Sequence, residues 1–328
     1  MKQVLSLFSG CGGMDLGMLG GFKVHKTSYA SKEAGNWVTL PKTDFQLVFA
    51  NDILNEAKNS YVPYFSQHGH THPFYVESIV DLVERAERNE FQFPDADIVI
   101  GGFPCQDFSV AGKRLGLNSD KCHTGELFQD EGANTNNRGM LYIWMKKVVE
   151  LTQPHMFIAE NVRGLVSLGD VKKIIEHDFR NIGEGYIVQD AKVLKAANYG
   201  VPQSRERVFF IGFNKKFLKN GVEAKLRSGE IDPYPPITHY LPNQEDEVTG
   251  LKKYVSLRDI LKDLPEPEEA KDLSQRSYSK ARFYGKHVQG QTEIKLDSIG
   301  PTIRAEHHGN IEFRRLSKEN GGLQLDEL

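Results

Sequence analysis

A cysteine directly behind a proline, a glutamate at the end of an apolar run and two arginines one residue apart are the groups in this chain best suited to chemistry. Cys105 stands within Gly101-Gly102-Phe103-Pro104-Cys105-Gln106-Asp107-Phe108-Ser109. A thiol placed there is a candidate nucleophile, and a buried structural cysteine is the alternative. Glu160 leads Glu160-Asn161-Val162 and can give or take a proton, or else cap the helix expected around residues 171–179. Arg205 and Arg207 alternate, so in extended chain both point to one face, where guanidinium groups near a sheet need partners. Asp52 suits hydrogen bonding to a ribose hydroxyl or, equally, N-capping a helix over residues 53–61.

The elements that must position these groups are β-branched and apolar runs. Gln3-Val4-Leu5-Ser6-Leu7-Phe8 reads as a strand, followed by the turn Ser9-Gly10-Cys11-Gly12-Gly13 and a helix start. Such a turn lets a ligand approach bare backbone amides at a helix N-terminus, although it can also serve tight packing alone. Further strands are expected at 46–50, ending at Asn51-Asp52; at 96–100, ending at Gly101-Gly102; at 156–159, delivering Glu160; and at 189–194 and 208–212. Cys105 and Glu160 then share the carboxyl edge of a parallel sheet, where open α/β sheets bind ligands. Residues 113–137 read as a long loop of lid type, and Leu141, Met145, Val148 and Val149 as one helix face.

The chain has 328 residues, 39% of them hydrophobic, enough for one large core and a second, smaller one. Its three cysteines, Cys11, Cys105 and Cys122, are too few and too scattered for a disulfide framework or zinc site. No apolar run approaches spanning length, so the expectation is a cytoplasmic protein without membrane contact. A net charge of −3 gives no global argument for a nucleic-acid partner, which has to be argued from local patches.

Five segments in order, Phe8-Ser9-Gly10-Cys11-Gly12-Gly13, Gly102-Phe103-Pro104-Cys105-Gln106, Arg138-Gly139-Met140-Leu141, Glu160-Asn161-Val162 and Gln203-Ser204-Arg205-Glu206-Arg207, closely resemble the motifs of DNA (cytosine-5) methyltransferases. The resemblance covers residues 1–213. It implies a Rossmann-like, doubly wound, mostly parallel α/β sheet, the S-adenosylmethionine-dependent methyltransferase fold, over residues 1–213, with a smaller target-recognition domain over 214–328. It implies methyl transfer from S-adenosylmethionine to C5 of cytosine in double-stranded DNA. Cys105 would add to C6, Glu160 would serve N3, Arg207 would contact O2, and Arg205 would support the site. The donor would be held by Phe8, Ser9, Gly10, Gly12 and Gly13, with Asp52 on its ribose and Ile53, Ser78, Ile79, Pro104 and Leu141 around it. Where the family usually places an Asp against the adenine, this chain has Val76-Glu77-Ser78-Ile79, so Ser78 or Glu77 would take that place.

The later part of the chain departs from the family pattern. Arg314-Arg315-Leu316-Ser317 resembles the start of the family's RRLTxRE helix, but Asn320-Gly321-Gly322 follows and the closing GNxVP segment is absent. The expectation is a truncated chain, or one completed by a second, C-terminal polypeptide; a DNA-binding subunit inactive without that partner is the alternative. Leu16 and Met18 would then be partly exposed, donor binding weak and the chain prone to associate. Arg276, Lys280 and Arg282, interleaved with Tyr278, Phe283 and Tyr284, form a phosphate-tracking composition, and Pro301 to Asn310, with Thr302 and Arg304, resembles the family's recognition loop. His307-His308 lacks further ligands, so no metal is expected. A tRNA-modifying relative is a lesser alternative: that branch carries Cys-Phe-Thr in its target domain, and no cysteine follows Cys122.

Overall fold

The computed structural model describes residues 1–29, 35–104, 141–242, 244, 250–262, 269, 271, 292–293, 295–303, 312–314 and 323–324. Cys105, Arg276, Lys280, Arg282 and Arg304 lie outside these residues, as does the expected loop at 113–137. The chain forms two compact units. One comprises Met1–Phe22, Thr39–Leu194 and Arg207–Pro235, and the other Lys23–Val38, Lys195–Glu206 and Pro236–Leu328.

The first unit is built on β1 (Lys2–Leu7), which leads through the glycine turn into α1 (Gly13–Leu19). After the short strands β2 (Lys23–His25) and β3 (Trp37–Thr39) come β4 (Phe45–Asp52), α2 (Asn55–Gln67), β5 (Phe74–Val76), α3 (Ile79–Glu87) and β6 (Ile98–Gly102). Then follow α4 (Leu141–Thr152), β7 (Met156–Val162), α5 (Val171–Arg180), β8 (Tyr186–Val188), β9 (Lys192–Lys195), β10 (Glu206–Asn214) and α6 (Val222–Ser228). Among the described residues these strands form an eight-stranded sheet in the order β5-β4-β1-β6-β7-β10-β8, with β9 against β10. The strands from β5 to β7 run parallel, while β10 is antiparallel to both β7 and β8.

Both faces of this sheet are covered, which is why its strands read as continuous apolar runs instead of alternating ones. Leu5, Leu7, Val99 and Phe157 pack on one face with residues of α3, α4 and α5. Val4, Leu47, Ile98 and Ile100 pack on the other with Tyr61 and Phe65 of α2 and, less deeply, Met14, Leu16 and Met18 of α1. A doubly wound sheet is the result, as the sequence implied. Gly212 of β10 lies opposite Phe157 of β7, and a Cβ there would stand 2.1 Å from the Phe157 ring.

Three boundaries differ from expectation. The helix after Asp52 begins at Asn55 and continues through Pro63 to Gln67, because Tyr61 and Phe65 beyond its middle are anchored in the core. The run at 189–194 is not one strand: β8 precedes it and β9 takes its end. Strand β10 is longer than the expected 208–212, running from Glu206 to Asn214; Arg205 precedes it, its carbonyl accepting from the Ala196 N–H.

In the second unit, β2 and β3 form a two-stranded ribbon, with β11 (His239–Tyr240) and β12 (Lys252–Lys253) forming another. The helix α7 (Leu257–Leu261) carries a capping box between Ser256 and Asp259. Strands β13 (Thr292–Glu293), β14 (Glu312–Arg314) and β15 (Leu323–Gln324) make a three-stranded sheet. Gly200 sits at φ +79°, and a side chain there would meet the Ser28 carbonyl at 2.7 Å and the His239 ring at 2.8 Å. Among the described residues no helix is long and apolar enough to cross a membrane.

Candidate active site

The first unit gathers its candidate residues at one edge of the sheet. The parallel strands deliver their carboxyl ends there: β1 the glycine turn, β4 Asp52, β6 Gly102-Phe103-Pro104, and β7 Glu160-Asn161-Val162. Because β10 runs the other way, it brings its beginning to the same edge, and Arg207 pairs in register with Val162.

On the β1 side the chain makes a strained turn. Phe8 has φ 52°, Gly10 φ 54° and Gly12 φ 86°. For Phe8 this is an unusual conformation held by its surroundings. The Ser9 N–H donates to the Asn51 carbonyl at 2.8 Å and the Gly10 N–H to Asp52 Oδ2 at 2.9 Å. Asp52 Oδ1 accepts from the Leu54 N–H at 3.0 Å, so the carboxylate joins the tips of β1 and β4 instead of capping α2. Behind the turn, a Cβ at Gly12 would stand 2.4 Å from the Phe65 ring and 2.9 Å from that of Tyr61. On the open side, a Cβ at Gly10 or Gly13 would meet nothing within 4 Å. The turn is thus packed to contact from below and open above.

Beneath it lies a buried polar chain. The Tyr61 hydroxyl donates to Asp15 Oδ1 at 2.8 Å, and His72 Nε2 is 2.8 Å from the same hydroxyl. Burial pushes the Asp15 carboxyl up to about 6 against the pull of the Tyr61 hydrogen bond. Burial likewise pulls the His72 imidazole down to about 4, aided by nearby His70. None of Asp15, Tyr61 and His72 was singled out from sequence; long-range burial, which carries no local signal, brings them together.

On the β7 side the arrangement is ionic. Arg207 Nε lies 2.8 Å from Glu160 Oε1, with side-chain exposures of 20% and 16%. Glu160 therefore faces a guanidinium and caps neither α5 nor the 3₁₀ turn Arg163–Ser167. Gly102, paired in register with Glu160, leaves room for it: a Cβ at 102 would be 3.1 Å from Glu160 Oε2. Asn161 is fully buried, and its Nδ2 donates to the Phe103 carbonyl at 3.1 Å, two residues before Cys105. Asn161 carries no local signal of this role, and Gly102, expected with Gly101 to break the strand after residue 100, instead continues β6 to its end.

The other expected positions are placed as follows. Ser78 caps α3, accepting from the Val80 N–H at 3.2 Å. Glu77 is held by Arg85 through two 2.8 Å contacts. Ile79 and Leu141 are buried at the starts of α3 and α4, Pro104 is half-buried, and Ile53 is exposed. Arg205 and Thr302 are half-buried in the second unit, where the Ser204 N–H donates to the Gly300 carbonyl at 2.7 Å. Among the described residues no group of histidines, cysteines and carboxylates could hold a metal.

The chain is 36% identical over 270 residues to Type II methyltransferase M.BspRI of Lysinibacillus sphaericus, covering 80% of this chain and 52% of that protein. It is 34% identical over 335 residues to Type II methyltransferase M.BsuRI of Bacillus subtilis, covering 97% of this chain and 63% of that one. The chain thus spans somewhat over half the length of these relatives. Its fold is similar to the crystal structure of a Spodoptera frugiperda DNMT2 mutant, with a TM-score of 0.50 and 17% identity, covering 96% of this chain and 75% of that one. The family model "C-5 cytosine-specific DNA methylase" matches residues 2–321, and the chain belongs to that family.

Proposed function

We propose that this chain transfers a methyl group to C5 of cytosine within a specific double-stranded DNA sequence, through a covalent Cys105–C6 intermediate formed on a base turned out of the stack. The observation that carries this reading is the Glu160–Arg207 pair, set beside the Gly102-Phe103-Pro104 strand exit that Asn161 fastens. Cytosine C5 is a weak nucleophile. Addition of the Cys105 thiolate to C6 makes it an enamine carbon, with negative charge growing on N3 and O2. Glu160 hydrogen-bonds N3 and supplies the proton there, while Arg207 turns its fork of donors toward O2, and Arg205 supports it. After methyl transfer a water molecule takes the C5 proton, the C5–H electron pair forms the C5–C6 double bond as the Cys105–C6 bond breaks and the thiolate leaves, and the N3 proton returns to Glu160.

S-adenosylmethionine supplies the methyl group, and the β1 turn fits it: strained backbone, glycines open on one side, and a carboxylate at the β4 tip. Phe8 to Gly13 would line the donor, Asp52 would accept from its ribose, and Ile53, Ser78, Ile79, Pro104 and Leu141 would surround it. The second unit, with Arg276, Lys280, Arg282, Thr302 and Arg304, would read the duplex. The protein would work in the cytoplasm on the cell's DNA.

The test is incubation with tritiated S-adenosylmethionine and duplex DNA, followed by trapping on DNA containing 5-fluorocytosine. Cys105→Ser should abolish both methyl transfer and trapping while duplex binding persists; undiminished trapping would remove Cys105 from the chemistry. A second arm adds a polypeptide corresponding to the remaining length of the relatives. Met14, Leu16 and Met18 are only partly buried, and a partner that covers them should raise both donor affinity and rate. Tight, stoichiometric donor binding by a monodisperse chain alone would show that no partner is needed.

A further inference from the structure

Tyr61 is the centre of the polar chain under the glycine turn. Its ring is 1% exposed, stacks on Phe65 with centroids 4.1 Å apart and lies directly against the backbone of Gly12. Its hydroxyl has two partners at 2.8 Å, Asp15 Oδ1 and His72 Nε2. A hydroxyl has one proton to give. With Asp15 ionised, Tyr61 donates to the carboxylate and accepts from His72 Nε2–H, and the imidazole is neutral. With Asp15 protonated, each proton of the chain points the other way and no heavy atom has to move. What changes is the charge under the turn.

Asp15 is 0% exposed, and its Oδ2 is buried without a hydrogen-bond partner among the described residues. The groups that act on the carboxyl are the Tyr61 hydroxyl from α2, the Ser6 hydroxyl from β1 and its own backbone amide; among the described residues no cation joins them. His72 stands beyond Tyr61 with His70 near it, and His70 in turn feels Lys42 and His68. Other carboxylates of this chain are held differently: Asp97 faces Lys2, Asp232 faces Lys192 and Asp297 faces Arg258. A buried carboxylate without a cation is costly, and an amide would accept from the Tyr61 hydroxyl equally well. What only a carboxyl can offer at this place is charge. It stands close to the open glycines, because Asp15 is two residues past Gly13 in α1, about 3 Å along the helix axis.

We propose that Asp15 distinguishes the methyl donor from the spent product: its carboxylate attracts the sulfonium of S-adenosylmethionine and gives nothing to the uncharged thioether of S-adenosylhomocysteine. The proposal rests on the donor-binding reading of the turn given above. The two molecules share their adenosine and amino-acid ends, so contacts from Phe8 to Gly13 and from Asp52 would hold both alike. They differ by one methyl group and one unit of positive charge. A buried charge is weakly screened and acts across several ångströms, so Asp15 need not touch the sulfur. Turnover leaves a product on the same turn, and a site that favours the charged ligand releases it more readily. The sign of the pH dependence follows. Burial raises the Asp15 carboxyl to about 6, so the preference is present above that pH and fades below it, and donor binding below it expels the proton.

The experiment is calorimetric titration of the intact chain with S-adenosylmethionine and with S-adenosylhomocysteine, each at pH 5 and pH 7.5. The quantity read is the ratio of the two dissociation constants, because a damaged turn weakens both ligands and leaves the ratio unchanged. His72, pulled down to about 4, stays neutral at both pH values. The wild-type ratio, product over donor, should be about three- to tenfold greater at pH 7.5 than at pH 5. In Asp15→Asn this rise should be gone, and the ratio should stay near the wild-type value at pH 5. Tyr61→Phe keeps the ring under Gly12 and removes a hydroxyl that favours ionisation, so the rise should survive but move to higher pH. A full wild-type ratio and rise in Asp15→Asn would overturn the proposal, as would a wild-type ratio that ignores pH. Equal loss of both ligands in Asp15→Asn, with the ratio and its rise preserved, would overturn it in favour of a purely structural Asp15. Binding of neither ligand by the wild-type chain would overturn the donor reading of the turn itself, and this inference with it.

Discussion

The two ends of the ligand edge are held by different physics. At β1 and β4, backbone amides, a strained Phe8 and a buried aromatic floor fix the turn, and Asp52 is occupied by two backbone N–H groups. At β7 and β10, a carboxyl and a guanidinium group 2.8 Å apart hold each other while partly reachable by water. A site that must present a fixed shape to a donor molecule gains from backbone and packing, which have one arrangement. Groups that must exchange partners during a reaction gain from an ion pair, which a substrate can reopen at modest cost because it is not fully desolvated.

Changes at the ionic end should act on rate alone. Glu160→Gln keeps the shape and removes the proton, and methyl transfer should fall about 10²- to 10⁴-fold while donor affinity stays within twofold, measured by single-turnover kinetics and calorimetric titration. An equal loss of donor affinity would erase the distinction between the two ends. At the packed end, Gly12→Ala places a Cβ 2.4 Å from the Phe65 ring at φ 86°. It should cost about 2–5 kcal/mol of stability, with weakened donor binding, read from urea unfolding and titration.

The floor of the turn gives a pH test. A carboxyl raised from 3.8 to about 6 favours the fold while protonated; that contribution is complete below pH 3.8 and is lost as pH rises through about 6, a change of about 3 kcal/mol. The lowered His72 acts the opposite way: its contribution is present above pH 6.5 and is lost as pH falls through about 4. Between pH 4 and 6 the two trends oppose in the native protein. Asp15→Asn removes one of them, so its urea midpoint should climb through this interval where that of the native chain stays flatter. Parallel curves would show that Asp15 does not titrate there. The smallest effect is expected at Ser78→Ala: about 1 kcal/mol from the lost α3 cap, with a lesser change in donor affinity.

The ionic end was legible in the sequence as far as its parts. An apolar run that stops at Gly101-Gly102 or at Glu160 announces a strand tip, because period and composition are local. That Glu160 would meet Arg207 was implied by resemblance alone, since the reversal of β10 is a property of the sheet and not of residues 206–214. The packed end was half legible: the glycines signalled a turn, but Asp15 and His72, separated by 57 positions, meet only through Tyr61. The helix expected over 53–61 runs on to Gln67 because core burial at Phe65 outweighs Pro63, a local breaker. The ribbon went unread since its strands are three residues long and the segment between them is polar.

Gly212 has a consequence far from where it lies. Side chains along a strand alternate between faces, so slipping β10 by one residue against β7 would send Arg207 to the face opposite Glu160. Such a slip would bring Ile211 or Phe213 against Phe157, at a position of β10 where a Cβ would stand 2.1 Å from that ring. Gly212 therefore works as a keyway cut for a single tooth: five residues and roughly 17 Å along the strand from the guanidinium, it admits only the alignment that brings acid and base together. The geometry of the ion pair is in this sense kept by a hydrogen atom that touches neither partner.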